Sequence, residues 1–205
     1  MLLACIIEPK NAIKNTKLIK SIFMSKQRKI NIFDLSFNDF SKFITNIDKP
    51  TCEISLIKTS LCDFRMLRSH NIKFDILIFD DIEESLKYDS FVILKNILSL
   101  LKQHAYLIIN SDNFDFFNNL DLTNYHVITY GFNTNASLST SSIGDFLSHS
   151  NFMCFLKKTV HSYNGMIFEP QEYVLNLSCL DNEPYTLLLT AVFAIISGID
   201  LNSLN

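Results

Sequence analysis

Glycine is scarce in this chain. Its 205 residues include four glycines, where average usage would give roughly 14. They are Gly131, Gly144, Gly165 and Gly198, never closer than 13 positions. A phosphate loop of the G-x-x-x-x-G-K-[ST] kind is therefore excluded, as is a G-x-G-x-x-G fingerprint. Proline is equally rare, with four residues, so no Pro-rich linker divides the chain. Tryptophan is absent. Arginine is limited to Arg28, Arg65 and Arg68, and the net charge is −3. That balance lacks the basic surface that general nucleic-acid binding requires. The five cysteines (Cys5, Cys52, Cys62, Cys154, Cys179) are odd in number and form no C-x-x-C pair. They read as reduced thiols, not as a disulfide frame or zinc site. H-E-x-x-H and G-x-S-x-G are missing too, and the histidines (His70, His104, His126, His149, His161) are dispersed. Zincin and serine-nucleophile chemistry thus have no support. The longest apolar run, Thr186 to Ile199, is too short to span a bilayer. The expectation is a cytoplasmic protein that binds neither nucleic acid nor membrane. Abundant Lys, Asn, Ile and Phe suggest AT-rich coding, which by itself thins glycine.

What the chain does have is apolar residues, 48% of the total, with 18 Phe. That fraction excludes disorder. Leu2–Ile7 is a continuous apolar run, as in a strand buried on both faces. Ile13, Leu18, Ile19, Ile22 and Phe23 then recur at helical spacing. Ile30–Leu35, Glu53–Ile57, Phe74–Phe79 and Tyr106–Ile109 read as further strands. Ser36 suits the cap of a helix over Phe37, Phe40, Phe43 and Ile44, and Tyr88–Lys102 reads as another helix. Strands alternating with helices predict a mostly parallel sheet. From His126 to Leu180 the texture changes to short strands, predicting antiparallel pairing. A last helix spans Tyr185–Ser197, with Gly198 as its left-handed cap. The reading is one α/β domain over 1–205. Its parallel core covers about 1–125 and 181–205, and a small antiparallel appendage covers about 126–180.

The order of these motifs resembles the central, ATP-binding domain of the Mur ligases, which make peptidoglycan precursors. Cys52-Glu53-Ile54-Ser55 is similar to the family's E-[VM]-S-S, with Arg65 near the place of its downstream Arg. Phe74–Ile82 resembles the strand leading into T-N-x-x-x-D-H. Lys95, followed by Leu107–Asn113 (LIINSDN), resembles the helix Lys and I-N-A-D-D. Thr129-Tyr130-Gly131 matches T-Y-G, and Leu187–Ile199 matches the last helix. The resemblance implies a P-loop NTPase-like core, with the chain corresponding to the central domain alone.

It also implies which site residues to inspect. The family's first loop wraps ATP phosphates in backbone N–H groups, with glycines allowing the approach. Here that turn reads Glu8-Pro9-Lys10-Asn11-Ala12-Ile13-Lys14. Its glycines are gone, a carboxylate opens it, and Pro9 removes a donor. Asn11 aligns with the loop Asn, while Lys10 and Lys14 miss the Lys position. Glu53 matches a magnesium-binding Glu, and Lys95 the Lys that the family carbamylates as a metal ligand. Ser85-Leu86 replaces Asp-His, leaving Asp80, Asp81, Glu83 and Glu84 as oxygen donors or as a solvated acidic loop. At the adenine-contacting N-x-x-N the aligned residues are Glu183 and Thr186, with Asn182 one place off.

Three functions follow as expectations. The first is a degenerate Mur-ligase-like domain that binds or regulates a protein partner, such as a cell-wall ligase. The second is an ATP- and Mg-dependent amide ligase fragment that needs a partner chain. The third is a small-molecule binding module. Residues 1–29 hold seven basic residues and one acid, a docking face for an acidic partner or a solvated helix face.

Overall fold

A computed structural model of the chain describes residues 1–8, 15–35, 39–61, 63–80, 90–140, 151–176 and 183–204. It divides into two compact units. The first comprises 1–12, 29–109 and 113–127; the second comprises 13–28, 110–112 and 128–205. The fold is a mostly parallel sheet flanked by helices, with a small antiparallel two-stranded sheet.

In the first unit the strands are β1 (Leu2–Ile7), β2 (Ile30–Asp34), β3 (Ile54–Thr59), β4 (Phe74–Phe79) and β5 (Leu101–Asn110). They pair in parallel in the spatial order β2-β3-β1-β4-β5. Every residue of β1, β3 and β4 is buried. This two-sided burial is why β1 runs apolar without alternation, as does β4 apart from Asp75. One face carries Leu3, Cys5, Ile7, Ile57, Leu77 and Phe79 into a core with Phe43, Leu67, Phe74 and Leu94. Phe43 stacks on Phe74 with ring centroids 6.4 Å apart. Phe43, Leu67 and Leu94 come from α2 (Phe40–Asp48), α3 (Arg65–Ser69) and α4 (Ser90–Leu98), which follow α1 (Asn15–Ser25) in the chain, while Phe74 opens β4.

The second unit is built around α5 (Pro184–Ile196), whose residues Thr186 to Ile196 are all buried. Glu183 caps its start in extended conformation and Pro184 occupies the first turn, where a missing N–H costs nothing. The Ile199 N–H donates to Ala194 O at 2.9 Å, and Gly198 has φ +80°. This is the left-handed helix stop expected from the sequence. Phe23 of α1 packs on Phe193 at 5.4 Å. The strands here are β6 (His126–Tyr130, which begins in the first unit), β7 (Leu138–Ser139), β8 (Asn151–Leu156), β9 (Val160–His161), β10 (Ile167–Phe168) and β11 (Gln171–Asn176). β8 pairs antiparallel with β7 and β11, and β9 with β10. β6 meets β7 in parallel at Tyr130 and Leu138.

Several element boundaries differ from the sequence reading: β3, read over Glu53–Ile57, spans Ile54–Thr59, and β5, read over Tyr106–Ile109, begins at Leu101. The helix read over Tyr88–Lys102 is described as Ser90–Leu98, and Leu101 already pairs with Phe74 in β5. The run Leu98-Ser99-Leu100-Leu101 fits helix and strand periods equally, so periodicity could not place the break. Among the described residues, no helix is long and apolar enough to cross a membrane.

Candidate functional site

Chain order reverses across β1, with β3 on one side and β4 on the other. In open α/β sheets, ligands bind outside the carboxyl ends of strands at such a reversal. The residues at that edge are therefore the first to inspect.

Side chains two apart on a strand share a face. Ile6 pairs in register with Lys58, and Asp34 also pairs with Lys58. Glu8, two beyond Ile6, thus falls on the same face as Lys58 and Asp34. Glu8 is 2% exposed and Lys58 7%. The Lys58 ammonium forms an ion pair with Glu8 Oε1 and lies 3.7 Å from Asp34 Oδ2. Asp80 follows β4 at the same edge and acts on Lys58 through its charge. Burial pushes the Lys58 pKa below its ordinary value, and Asp80 opposes that shift. The backbone is committed too. Glu8 N–H donates to Thr59 O at 3.1 Å, and Asp80 N–H to Ile7 O at 3.1 Å. Three carboxylates thus surround one ammonium at the carboxyl edge beside the reversal of strand order.

Other residues singled out in the sequence fall elsewhere. Glu53 is exposed and immediately precedes β3, at the amino edge; its carbonyl accepts from Leu2 N at 2.8 Å. The six-residue strand puts it about 20 Å from the Glu8 edge. Lys95 is exposed in the last turn of α4, just before the chain enters β5 at the same amino edge. Neither reaches the Glu8–Lys58 cluster. Pro9, Lys10, Asn11, Lys14, Asp81, Glu83, Glu84, Ser85 and Asn182 lie outside the described residues, as does the side chain of Arg65. Lys58 and Asp34 were not singled out in the sequence. The one available signal was a lysine directly after the apolar Leu56-Ile57 of the strand Ile54–Thr59.

In the second unit, two of the resemblance motifs converge. Gly131 has φ +147°, and a Cβ there would lie 2.5 Å from Ser111 Oγ and 2.7 Å from Asp112 Oδ2. The Asp112 carboxylate accepts from the N–H groups of Phe132 and Asn133, both at 2.9 Å, and from the Tyr185 hydroxyl at 2.9 Å. Burial and the Asp112 carboxylate push the Tyr185 pKa up to about 12. The Asp of one motif thus ties the Gly turn of another to the start of α5. Glu183 caps that helix, while Thr186 is buried and its carbonyl accepts from Thr190 Oγ1. Among the described residues, no group of three or more His, Cys, Asp or Glu assembles to hold a metal.

These features define an α/β fold whose strand order reverses at the first strand, with a buried ion pair at its carboxyl end. No family model matches the sequence, and no curated protein sequence matches it. Among solved structures the chain is similar to a UDP-N-acetylmuramoylalanyl-D-glutamyl-2,6-diaminopimelate–D-alanyl-D-alanyl ligase from Acinetobacter baumannii. The TM-score is 0.62 at 7% identity, covering 100% of this chain and 44% of that one. The murein peptide ligase Mpl from Psychrobacter arcticus gives 0.57 at 9% identity, covering 98% of this chain and 45% of the other. MurF from Acinetobacter baumannii gives 0.57 at 8% identity, with 99% and 44% covered. The fold is Mur-ligase-like, and the chain spans less than half the length of these proteins.

Proposed function

We propose that this chain is a degenerate Mur-ligase-like domain, not itself a ligase, that binds or regulates a protein partner in cell-wall precursor synthesis. The observation that carries the non-catalytic reading is Glu8. It stands directly after β1, where the resembled family begins its phosphate loop, and it is buried in an ion pair with Lys58. A carboxylate 4 Å from a phosphate charge opposes binding by roughly 4 kcal/mol at an effective dielectric of 20. The nearby ammonium is already matched by Glu8 and Asp34. The Glu8 and Asp80 N–H groups, which could cradle an anion, are spent on strand carbonyls.

The test is a thermal-shift titration with Mg-ATP. A ligand at 100 times its Kd stabilises a fold by about 2.7 kcal/mol. No shift is expected at millimolar Mg-ATP; a saturable shift would overturn the reading and restore a nucleotide-dependent ligase fragment. The regulatory half is tested by adding the chain to a full-length murein peptide ligase. A dose-dependent change in that enzyme's rate is expected, and an unchanged rate counts against it.

A further inference from the structure

The amino half of β5 leaves the sheet. Phe74 pairs with Leu101 but Ile76 pairs with Tyr106, so β5 bulges between them. Lys102, Gln103 and His104 are exposed along this bulge. His104 adopts φ +58°, a left-handed conformation that costs an L-residue about 1 kcal/mol. Two anchors hold it there. The His104 N–H donates to Asn124 O at 3.0 Å, and Lys102 Nζ bonds Asp75 Oδ1 at 2.7 Å. The result is a cluster of rings. His126 lies 6.3 Å from His104 and 5.2 Å from Tyr106 between centroids. All three belong to the first unit, and both histidines are exposed.

We propose that His104 and His126 form a surface site for one late first-row divalent cation: Zn²⁺, Ni²⁺ or Cu²⁺. A metal about 2.0–2.1 Å from one nitrogen of each ring places the two centroids roughly 5–6 Å apart. The observed 6.3 Å closes to that range by small side-chain rotations of two exposed rings. Two neutral imidazoles select these ions over Mg²⁺ and Ca²⁺, which prefer oxygen. Tyr106 is the wall of the site, not a ligand. Its ring flanks His126 at 5.2 Å between centroids. With two protein ligands, water completes the coordination and the ion stays exchangeable.

The experiment is calorimetric titration of the tag-free chain with Ni²⁺ and Cu²⁺, and Cu²⁺ paramagnetic resonance for nitrogen coupling. One ion per chain is expected, with coupling to two imidazoles. His104→Ala and His126→Ala should each weaken binding by roughly tenfold or more, while His70→Ala leaves it unchanged. Both variants should keep the wild-type melting temperature without metal to within about 2 °C, since each ring is exposed. Equal affinity in wild type and both variants would overturn the proposal, as would competition by Mg²⁺ at similar concentration.

Discussion

Glu8→Ala is the most informative perturbation of this fold. The change removes one partner of an ion pair whose members are 2% and 7% exposed. Breaking a buried pair from one side typically costs about 3–5 kcal/mol, because the remaining charge loses its compensation. Here Lys58 keeps Asp34 at 3.7 Å and the field of Asp80. The expected loss therefore falls at or just below the bottom of that range, about 2–3 kcal/mol. For a urea m-value of about 2 kcal/mol/M, the midpoint falls by roughly 1–1.5 M. Urea unfolding followed by far-UV circular dichroism measures it. Lys58→Met should cost a similar amount, since it leaves Glu8 buried without its cation. The double variant Glu8→Ala/Lys58→Met should recover much of the loss, because replacing both charges removes their shared desolvation penalty. A Glu8→Ala midpoint within about 0.2 M of wild type, at an unchanged m-value, refutes the reasoning. So does strict additivity of the two single changes.

Gly131→Ala should destabilise the second unit by about 2 kcal/mol. Its Cβ meets Ser111 and Asp112 at under 3 Å, and φ +147° is strained for any L side chain; a melting temperature unchanged within error would contradict this. Tyr185 and Tyr173 have pKa values raised to about 12 from 10. The folded state therefore holds these protons more tightly than the unfolded one. Their contribution to stability is complete below pH 10 and lost as pH rises from 10 through 12. Tyr185→Phe should flatten that decline in melting temperature; an identical alkaline profile would refute the assignment.

Much of the fold was legible because its strands are buried on both sides. Leu2–Ile7 and Phe74–Phe79 are apolar runs bounded by charge, and they emerged as strands within a residue of their expected ends. Gly198 announced the end of α5 by the same logic, since few other residues take φ +80° at a helix stop. The five-residue α3 and the 3-10 turn Ser111–Phe117 did not show. Neither is long enough to produce a periodic signal. The break between α4 and β5 was blurred because leucines at 98, 100 and 101 satisfy both periods.

The position of a candidate residue along its strand was legible for Glu8 and not for Glu53, for a common reason. A sequence motif marks a residue type at a spacing, whereas a site requires that residue at the correct end of its strand. Glu8 met both conditions, because the apolar run before it fixed β1 and so placed its carboxylate at the carboxyl edge. Glu53 met only the first. Its motif continues into Ile54-Ser55, and those residues open β3 instead of closing it. Its carboxylate thus stands one strand length, about 20 Å, from the crevice. The residue that does reach the crevice from β3 is Lys58, four positions on from Ile54 and on the same face. Any chemistry at this edge must begin from an ammonium held by Glu8 and Asp34. Such an arrangement stores its charge internally and leaves little field to offer an incoming anion.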